Sequence, residues 1–179
     1  MKMNDLKLRK CTVQDLRELR SLSIQTFQDT YESFNSTENM SIYIEKDLSS
    51  QQLSEELQNP KSGFYFVELE HTPIGFLKVN FISNPEIDNR LKGLEIERIY
   101  VLKSFQNKGI GQFLLNEVYG IVRKMKLDYI WLGVWELNLK ARAFYERNGF
   151  EEFGRQVFYL GMDKQNDLLV CKFTDPPKG

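Results

Sequence analysis

The sequence predicts an α/β protein in which helices flank a mixed β-sheet. Amphipathic helical patterns alternate with short β-rich segments along the 179 residues, and neither a repeat nor a low-complexity linker interrupts them. Two neighbouring β-rich segments, 64–69 and 74–82, are separated only by a short turn and therefore predict a hairpin. Two further extended segments, 94–101 and 130–135, lie on either side of a long amphipathic helix, which we expect over about 108–126.

The remaining elements follow from capping and turn patterns. Thr12–Asp15 has capping-box character and opens a first helix, whose apolar face continues to Tyr31. Ser49–Gln52 has a Ser-x-x-Gln capping pattern and opens a third helix. The hairpin turn is assigned to Thr72 and Pro73, with His71 in the turn before Pro73. The other expected elements are a strand at 6–11, a second, shorter helix ending near residue 47, a polar loop at 83–90, a final hairpin at 155–160 and 167–173, and a frayed tail at 174–179.

Composition favours one soluble domain over residues 1–179. With 41% hydrophobic residues and a formal net charge of −1, the chain can bury a core of ordinary size. No apolar run approaches the roughly 20 residues that cross a bilayer, and no secretory pattern follows Met1, so we expect a cytoplasmic protein. Cys11 and Cys171 are expected to be buried thiols, and no metal-ligand spacing is present. Because the charge is nearly balanced, we expect neither nucleic acid nor a membrane as a partner.

A glycine-rich turn at 106–111 precedes the long helix and predicts a phosphate site. Such a turn presents unpaired backbone N–H groups at the positive end of the helix dipole, and glycine allows a ligand close to the backbone. A nucleoside-triphosphate loop would need a lysine and a hydroxyl residue after Gly111, but Gln112 follows it. A dinucleotide loop would need a third glycine at the position of Leu114. The residues expected to bind the phosphate groups are Gln106, Asn107, Lys108, Gly109, Ile110, Gly111 and Gln112.

A second motif begins at Asn138. This residue suits a helix N-cap, and Gly149 suits the C′ position that ends the same helix. Ala141, Phe144 and Tyr145 are spaced i, i+3 and i+4, so they share one face of the helix. The motif directly follows the extended segment at 130–135, which places a short helix after an apolar strand.

With these two motifs in this order, the chain resembles the GNAT family of acyl-coenzyme A N-acyltransferases. The resemblance implies a mostly antiparallel sheet in which two parallel strands splay apart, with acetyl-coenzyme A as co-substrate and no metal. The glycine turn would hold the pyrophosphate, backbone groups of Ile99, Tyr100 and Val101 would bind the pantetheine arm, and Asn138 would bind that arm from the other side. The resemblance also implies an oxyanion-binding N–H near Ile99 or Tyr100, and Tyr145 as proton donor to the thiolate. Packing at a helix edge is the alternative role for Tyr145.

Two glutamates of the segment 94–101 are candidates for the general base. An alkylammonium must lose a proton before it attacks a thioester, since it is charged at neutral pH. Glu95 and Glu97 are two residues apart on a predicted strand and so point to the same face. Either could take the proton through water, or each could form an ion pair with a neighbour such as Arg98. No cysteine lies near either motif, so we expect direct transfer in a ternary complex.

The resemblance is closer to the PaiA-type bacterial polyamine acetyltransferases, on the segments 94–101 and 131–136 and on the spacing of Gly161, Gln165 and Asp167. It implies a spermidine- or spermine-like acceptor and makes a homodimer plausible. Where that group has a histidine, two residues before the Phe of the last hairpin, this chain has Gln156. If this position contacts the amine, acceptor preference could differ here.

Charge is distributed unevenly along the chain. Residues 29–56 contain seven acids and one base, and an acidic rim of this kind would attract a small cationic amine. Residues 103–126 contain five bases and one acid, and coincide with the phosphate turn. Ordinary solvated helix faces are the alternative interpretation of both. Two other functions also stay open: acetylation of a protein N-terminus or another small amine, and a non-catalytic coenzyme A-binding protein.

Overall fold

The computed structural model describes residues 5–174, which form seven strands and five α-helices. The strands are β1 (Leu6–Lys10), β2 (Ser62–Leu69), β3 (Thr72–Asn80), β4 (Gly93–Val101), β5 (Tyr129–Trp135), β6 (Glu151–Leu160) and β7 (Asp163–Phe173). The helices are α1 (Leu16–Tyr31), α2 (Thr37–Lys46), α3 (Ser50–Gln58), α4 (Ile110–Met125) and α5 (Leu139–Arg147).

All seven strands belong to one sheet, in the order β1-β2-β3-β4-β5-β7-β6. Every neighbouring pair is antiparallel except β4 and β5, which are parallel and joined through α4. The predicted α/β class with a mostly antiparallel sheet is therefore confirmed. Within residues 5–174, no helix combines the length and the apolar character that crossing a bilayer requires. The predicted tail, apart from Thr174, lies outside the described residues.

Local sequence signals set the helix boundaries, with one shift from the prediction. Ser49 accepts a hydrogen bond from the Gln52 N–H at 3.1 Å and begins α3. Thr12–Asp15 forms the expected capping box, and a short 3₁₀ turn there precedes α1. α4 begins at Ile110, later than predicted, because Gly109 has a φ of 81° and lies outside helical backbone space.

The turn of the β2–β3 hairpin lies at Glu70 and His71. The prediction was right for His71 and wrong for Thr72 and Pro73, which lie in β3. Both turn residues adopt left-handed backbone, with φ values of 50° and 65°, as two-residue hairpin loops of this type require. Pro73 lies in β3 opposite Glu68, where the register shifts at a bulge. A bulge is one of the few places where a strand accepts proline, because the ladder is already interrupted.

The sheet separates two apolar layers. One face is covered by α4 and α5, where Leu114 packs against strand residues such as Ile96 and Leu132; we call it the α4 face. The opposite face is covered by α1, α2 and α3, with Leu53 and Phe76 in its core; we call it the α1 face. A ligand that enters between two strands can therefore reach groups from both layers.

The parallel strands β4 and β5 separate after a short paired stretch. Their pairing begins at their N-terminal ends and stops at Glu95 and Trp131. Beyond that point β4 continues beside β3 as far as Val101, and β5 continues beside β7 as far as Trp135. The two strands thus diverge while each remains held by its other neighbour. The predicted splay is confirmed, and it opens one edge of each strand to a ligand.

Candidate active site

The open edge of β4 offers backbone groups of alternate residues to the splay. In an antiparallel ladder the N–H and C=O of one residue point to the same side, and successive residues alternate. The Leu102 N–H donates to the Ile74 carbonyl at 2.9 Å, so the backbone groups of Leu102 point towards β3. Tyr100 is two residues earlier, and its N–H and C=O therefore point towards β3 as well. Ile99 and Val101 therefore point into the splay. The backbone groups of Tyr100, the third predicted backbone ligand, point towards β3 and away from the splay. Its side chain lies on the α1 face.

The glycine turn has the backbone shape of an anion site. Asn107 and Gly109 both adopt left-handed backbone conformations, with φ values of 59° and 81°. The chain therefore turns sharply, and N–H groups of neighbouring residues can converge on one anion. No side chain caps α4 at Gly109, which leaves its first N–H groups free. Gln106 holds the turn against β4 by donating to the Val101 carbonyl at 3.1 Å. A Cβ on Gly111 would lie 3.7 Å from the Phe144 ring, so an alanine also fits there.

The cations of the basic segment do not all surround this turn. Lys103 and Lys108 are exposed at the turn, and the Lys108 Nζ lies 5.2 Å from the Phe105 ring centre. Arg123 and Lys124 are in the last turn of α4, about 20 Å further along the helix axis. There they complement the negative end of the helix dipole. Only the N-terminal part of the segment 103–126 therefore lies where its cations could contact a phosphate bound at the turn.

The second motif forms the helix α5 with both predicted ends. The Asn138 Oδ1 accepts from the Ala141 N–H at 3.1 Å, which confirms the N-cap. Gly149 has a φ of 79°, and its N–H closes the helix on the Glu146 carbonyl at 2.9 Å. The cap uses the side-chain oxygen of Asn138, and within residues 5–174 its NH₂ group makes no hydrogen bond. That group can therefore donate to a ligand.

Tyr145 is the buried residue of α5 and is 5% exposed. Its ring packs edge-on against Phe144 and Phe150, with ring centres 5.2 and 5.4 Å apart. Burial raises the pKa of the Tyr145 hydroxyl, and the phenol of Tyr100 raises it further. The two hydroxyls are therefore close enough to interact electrostatically. Tyr145 is consequently protonated at neutral pH and can donate a hydrogen bond towards the splay.

The two candidate glutamates lie on the α1 face beside a β-bulge. The β3–β4 register shifts between Lys78 and Val79, which leaves Glu97 as the extra residue. Asn80 donates through Nδ2 to Glu95 at 2.7 Å and to Glu97 at 2.6 Å. The prediction that both carboxylates share one face is therefore confirmed. Sharing one amide also fixes their positions relative to each other.

Glu97 belongs to an ion network that comprises Glu56, Lys78, Glu97 and Arg98. The Lys78 Nζ lies 2.6 Å from Glu97 and 2.9 Å from Glu56, and Arg98 bonds the same two carboxylates at 3.2 and 2.9 Å. Burial alone would raise the pKa of Glu97, but Arg98 and Lys78 reverse that effect and lower it. A carboxylate held ionised in this way is a poor proton acceptor, so the ion-pair interpretation applies to Glu97.

Glu95 differs from Glu97 in having no ion pair among the described residues. Its side chain is half-buried, and burial raises the pKa of Glu95, while the Asn80 hydrogen bond partly offsets this. A raised pKa brings a carboxylate closer to the range in which it can take up a proton at neutral pH. Of the two candidates, Glu95 is therefore the one suited to act as a base.

Aromatic residues that the sequence did not single out line the α1 face at the wide end of the splay. Phe34 and Tyr31 pack on Trp135, with ring centres 5.2 and 5.8 Å apart. The Tyr31 hydroxyl lies 3.4 Å from that of Tyr100 on β4. These contacts join the end of α1 to both diverging strands. They form an aromatic surface of a kind that binds organic cations.

Gln156 and Asp167 meet beside that surface. They are directly paired residues of β6 and β7, so their side chains lie next to each other on one face of the sheet. Both side chains occupy space left by Gly133 of β5: a Cβ there would lie 2.8 Å from the Gln156 Nε2 and 3.2 Å from the Asp167 Oδ2. The position at which this chain departs from the PaiA-type pattern therefore contacts a carboxylate, on the same face as Glu95.

The acidic residues of the segment 29–56 lie in two different environments. Glu56 belongs to the ion network and is not exposed. Asp29, Glu32 and Glu38 are exposed and form no ion pair within residues 5–174. For these three the interpretation as a solvated surface holds. Glu32 alone lies in the 3₁₀ turn that also carries Phe34.

Comparisons with known proteins show which family the chain resembles. The Acetyltransferase (GNAT) family model matches residues 22–150. An uncharacterized N-acetyltransferase in the pepI 3′ region of Lactobacillus delbrueckii subsp. lactis is 39% identical over 172 residues, which are 95% of this chain and 98% of that protein. The spermidine N(1)-acetyltransferase of Thermoplasma acidophilum is 27% identical over 150 residues, which are 82% of this chain and 88% of that protein.

A solved structure also shares the fold. The PaiA N-acetyltransferase from Thermoplasma acidophilum in complex with coenzyme A matches with a TM-score of 0.76 and 24% identity, over 94% of this chain and 99% of that one. The family model covers well over half of the chain, and the Lactobacillus relative is similar over nearly its whole length. The chain therefore belongs to the acetyltransferase (GNAT) family.

Proposed function

We propose that this acetyltransferase transfers the acetyl group of acetyl-coenzyme A directly to a primary amine of a polyamine such as spermidine or spermine. The observation that carries the proposal is the splay itself, which has an anion-binding turn at the α4 end and, on the α1 face, Glu95 and an aromatic surface. A donor and a cationic acceptor can thus approach one another from opposite layers. The similarity to a spermidine N(1)-acetyltransferase supports the choice of acceptor.

The donor site would use backbone groups at two places. The free N–H groups at the start of α4 would bind the pyrophosphate, and the edge groups of Ile99 and Val101 would pair with the pantetheine arm like an added strand. Asn138 would donate to the arm from α5. The Ile99 N–H is the backbone donor best placed to receive negative charge on the thioester oxygen.

Two side chains would handle the protons. Glu95 would accept a proton from the acceptor ammonium through water, which frees the nitrogen lone pair for attack. Tyr145 would donate its proton to the leaving sulfur. Because burial raises the pKa of Tyr145, the hydroxyl gives up its proton only as the sulfur gains negative charge, so donation accompanies cleavage of the C–S bond. The products are the acetylated amine and a free thiol.

Neither cysteine is suited to carry the acetyl group. Cys11 and Cys171 are buried, as predicted. Burial raises the pKa of Cys11 to about 12, and it raises the pKa of Cys171 as well, so neither forms the thiolate that attacks a thioester. Direct transfer in a ternary complex accordingly requires intersecting lines in initial-velocity plots rather than the parallel lines of a ping-pong mechanism.

The proposal is tested by offering several acceptors in parallel. The protein is incubated with acetyl-coenzyme A and either spermidine, spermine, an N-terminal peptide or an aminoglycoside, and thiol release and acetylated product are measured. Transfer to the polyamines with the highest kcat/KM is the expected result. Preference for the peptide or the aminoglycoside would reassign the acceptor. Thiol release with no acceptor, or none with any of them, would contradict the proposed transfer.

Glu95→Gln is expected to remove the acidic limb of the pH profile of kcat/KM. A base acts only when it is ionised, so the wild-type rate should rise with pH through the pKa of Glu95, which burial places above the ordinary value. The rate at neutral pH should fall about 10²-fold, the lower end of the range for a general base. Thiol release at a series of pH values, with one acceptor throughout, measures both effects.

Glu97→Gln serves as the matched control for that experiment. It changes the neighbouring carboxylate, which also bonds Asn80, but it removes an ion pair rather than the proposed base. The acidic limb should persist in this variant. If the limb persists in Glu95→Gln and disappears in Glu97→Gln, the two roles are exchanged.

Gly109→Ala is expected to weaken coenzyme A binding about 5- to 30-fold. Gly109 has a φ of 81°, and a side chain in left-handed backbone costs about 1–2 kcal/mol, which either distorts the turn or shifts it out of the binding shape. Gly111→Ala is the control, because a Cβ meets only the Phe144 ring at an ordinary distance there. Titration calorimetry with coenzyme A compares the two. Equal losses of affinity would show that backbone shape at Gly109 is not what the ligand requires.

A further inference from the structure

One carboxylate beside the splay lacks a cationic partner. Asp167 lies on β7 directly opposite Trp135 of β5, and it forms no ion pair within residues 5–174. Its side chain is half-buried. Another acid, Glu136, acts on it electrostatically and contributes to raising the pKa of Asp167, after burial. A partly desolvated carboxylate with an acidic neighbour provides a strong local attraction for a cation.

Besides the acidic Glu136, aromatic residues and a neutral amide lie around Asp167. Burial raises the pKa of Tyr31 to about 12 and also raises that of Tyr100, and the Asp167 carboxylate adds to both effects, so it lies within electrostatic range of the two phenols. Trp135 is its strand neighbour. Gln156, its cross-strand partner on β6, has a neutral amide and brings no positive charge. Burial raises the pKa of Asp167, so a cation that binds beside the carboxylate would favour its ionised form.

Gln165 holds the aromatic cover over this carboxylate. It precedes Asp167 by two residues on β7, so both side chains lie on the α1 face. The Gln165 Nε2 donates to the Asn35 Oδ1 at 2.7 Å, and the Asn35 amide donates to the Tyr31 carbonyl at 2.9 Å. This chain of bonds fixes the end of α1, which carries Tyr31 and Phe34 over Trp135. Gln165 is thus a positioning residue.

We propose that Asp167 binds the second ammonium of the acceptor, the one that is not acetylated, beside the ring of Trp135. This inference rests on the proposed function. The reacting nitrogen lies in the splay near Glu95, and Asp167 lies beyond β5, the next strand across. An amine with one nitrogen can occupy only one of the two positions at a time, whereas a diamine or polyamine can occupy both. Asp167 thereby selects for acceptors with a second positive charge.

Gly133 leaves room for the side chains of Asp167 and Gln156, and the neutral amide of Gln156 leaves the carboxylate without a cation. A lysine at position 156 would bring its own cation to the carboxylate and compete with the ligand. The geometry therefore assigns the Gln156 position a definite effect on acceptor choice: the neutral side chain there favours binding of a polycation at Asp167.

The test compares spermidine with butylamine, which has a single nitrogen. Asp167→Asn keeps the shape of the side chain and removes its charge. We expect KM for spermidine to rise about 10- to 100-fold, as for loss of a hydrogen bond to a charged group, with little change in kcat. KM for butylamine and the affinity for coenzyme A should stay the same. Calorimetric titration of the coenzyme A complex with spermidine gives a second readout that does not depend on turnover.

Gln156→Lys provides an independent variant in which Asp167 is retained. It should reproduce the rise in KM for spermidine, because the new cation occupies the carboxylate. Glu38→Gln removes an exposed carboxylate of α2 and should leave both amines unaffected. Equal effects of Asp167→Asn on spermidine and butylamine, or none on either, would overturn the inference while leaving acetyl transfer intact. A wild-type protein that acetylates neither amine would overturn the proposed function as well.

Discussion

Replacing Tyr145 with phenylalanine is expected to lower kcat roughly 10³-fold while leaving affinity for coenzyme A nearly unchanged. Loss of a positioned proton donor typically costs about 10²- to 10⁴-fold. The variant removes one oxygen atom and keeps the ring, whose packing between Phe144 and Phe150 maintains α5. The protein should therefore fold normally and bind acetyl-coenzyme A normally, and only the step that protonates the leaving sulfur should become slower. Steady-state rates of thiol release and calorimetric titration with coenzyme A separate the two quantities.

Tyr119→Phe is the matched control for this loss. Tyr119 is a half-buried tyrosine of α4, and its hydroxyl bonds the Lys172 Nζ at 3.3 Å. The same atom is removed, at a site that contacts β7 rather than the splay. Its kcat should stay close to that of the wild type. If Tyr145→Phe turned over as fast as this control, Tyr145 would be a packing residue, which is the alternative that its position on an amphipathic helix allows.

Lys78→Met is expected to destabilise the protein by about 3–5 kcal/mol. Lys78 is 3% exposed, and its ammonium lies between Glu56 and Glu97. Methionine fills a similar volume but leaves the two carboxylates with Arg98 as their only cation in the network. Lys78 and Arg98 are buried and Glu97 lies at the exposed edge of the network, so loss of the ammonium leaves a partly buried charge uncompensated, which costs more than loss of a surface pair. Urea denaturation measures the change in the free energy of unfolding.

The pH dependence of stability gives the same experiment a second readout. The folded-state pKa of Glu97 is lowered, so its contribution is fully present above its unfolded pKa of about 4.3 and is lost as the pH falls through the folded value. Lys78 is one of the cations that lower the pKa of Glu97, so the contribution of Glu97 to the free energy of unfolding should be smaller in Lys78→Met. Lys61→Met changes an exposed lysine and should alter stability by about 0.5 kcal/mol or less. A similarly small change in Lys78→Met would mean that the network does not stabilise the fold.

Signals that lie within a few residues of each other predicted most of the fold. Caps at Ser49 and Asn138 and the C′ glycine at Gly149 appear in the structure where the sequence placed them. Such features depend on local hydrogen bonds and backbone angles, which the neighbouring residues determine. The hairpin turn was the exception, because Glu70 and His71 adopt left-handed backbone without the Asn-Gly pattern that usually reveals it.

The roles of Glu95 and Glu97 could not be separated from sequence. Their difference depends on a bulge in β4 and on Lys78, which belongs to a different strand. A register shift leaves no composition signal, and the partner of a charge across a sheet is invisible to a pattern read along one segment. Pairing of β6 with β7 likewise brings Gln156 onto Asp167, and only the folded sheet reveals that contact.

Linear charge counts were the least reliable guide. The basic segment 103–126 extends along a helix of 16 residues, so its two ends lie far apart and only one of them can meet a phosphate. The acidic segment 29–56 mixes exposed carboxylates with Glu56, which is internal to the ion network. Counting charges along the chain cannot distinguish these environments, because exposure and pairing depend on the packing of α1, α2 and α3.

A crystal structure of the protein with coenzyme A and spermidine bound tests the central claim most directly. We expect the pyrophosphate on the N–H groups around Gly109, and the thiol between Ile99 and Tyr145. The reacting nitrogen should lie within reach of Glu95 through one water, and the second ammonium should lie against Asp167. Coenzyme A bound away from the splay, or an amine seated on the α4 face, would contradict the claim.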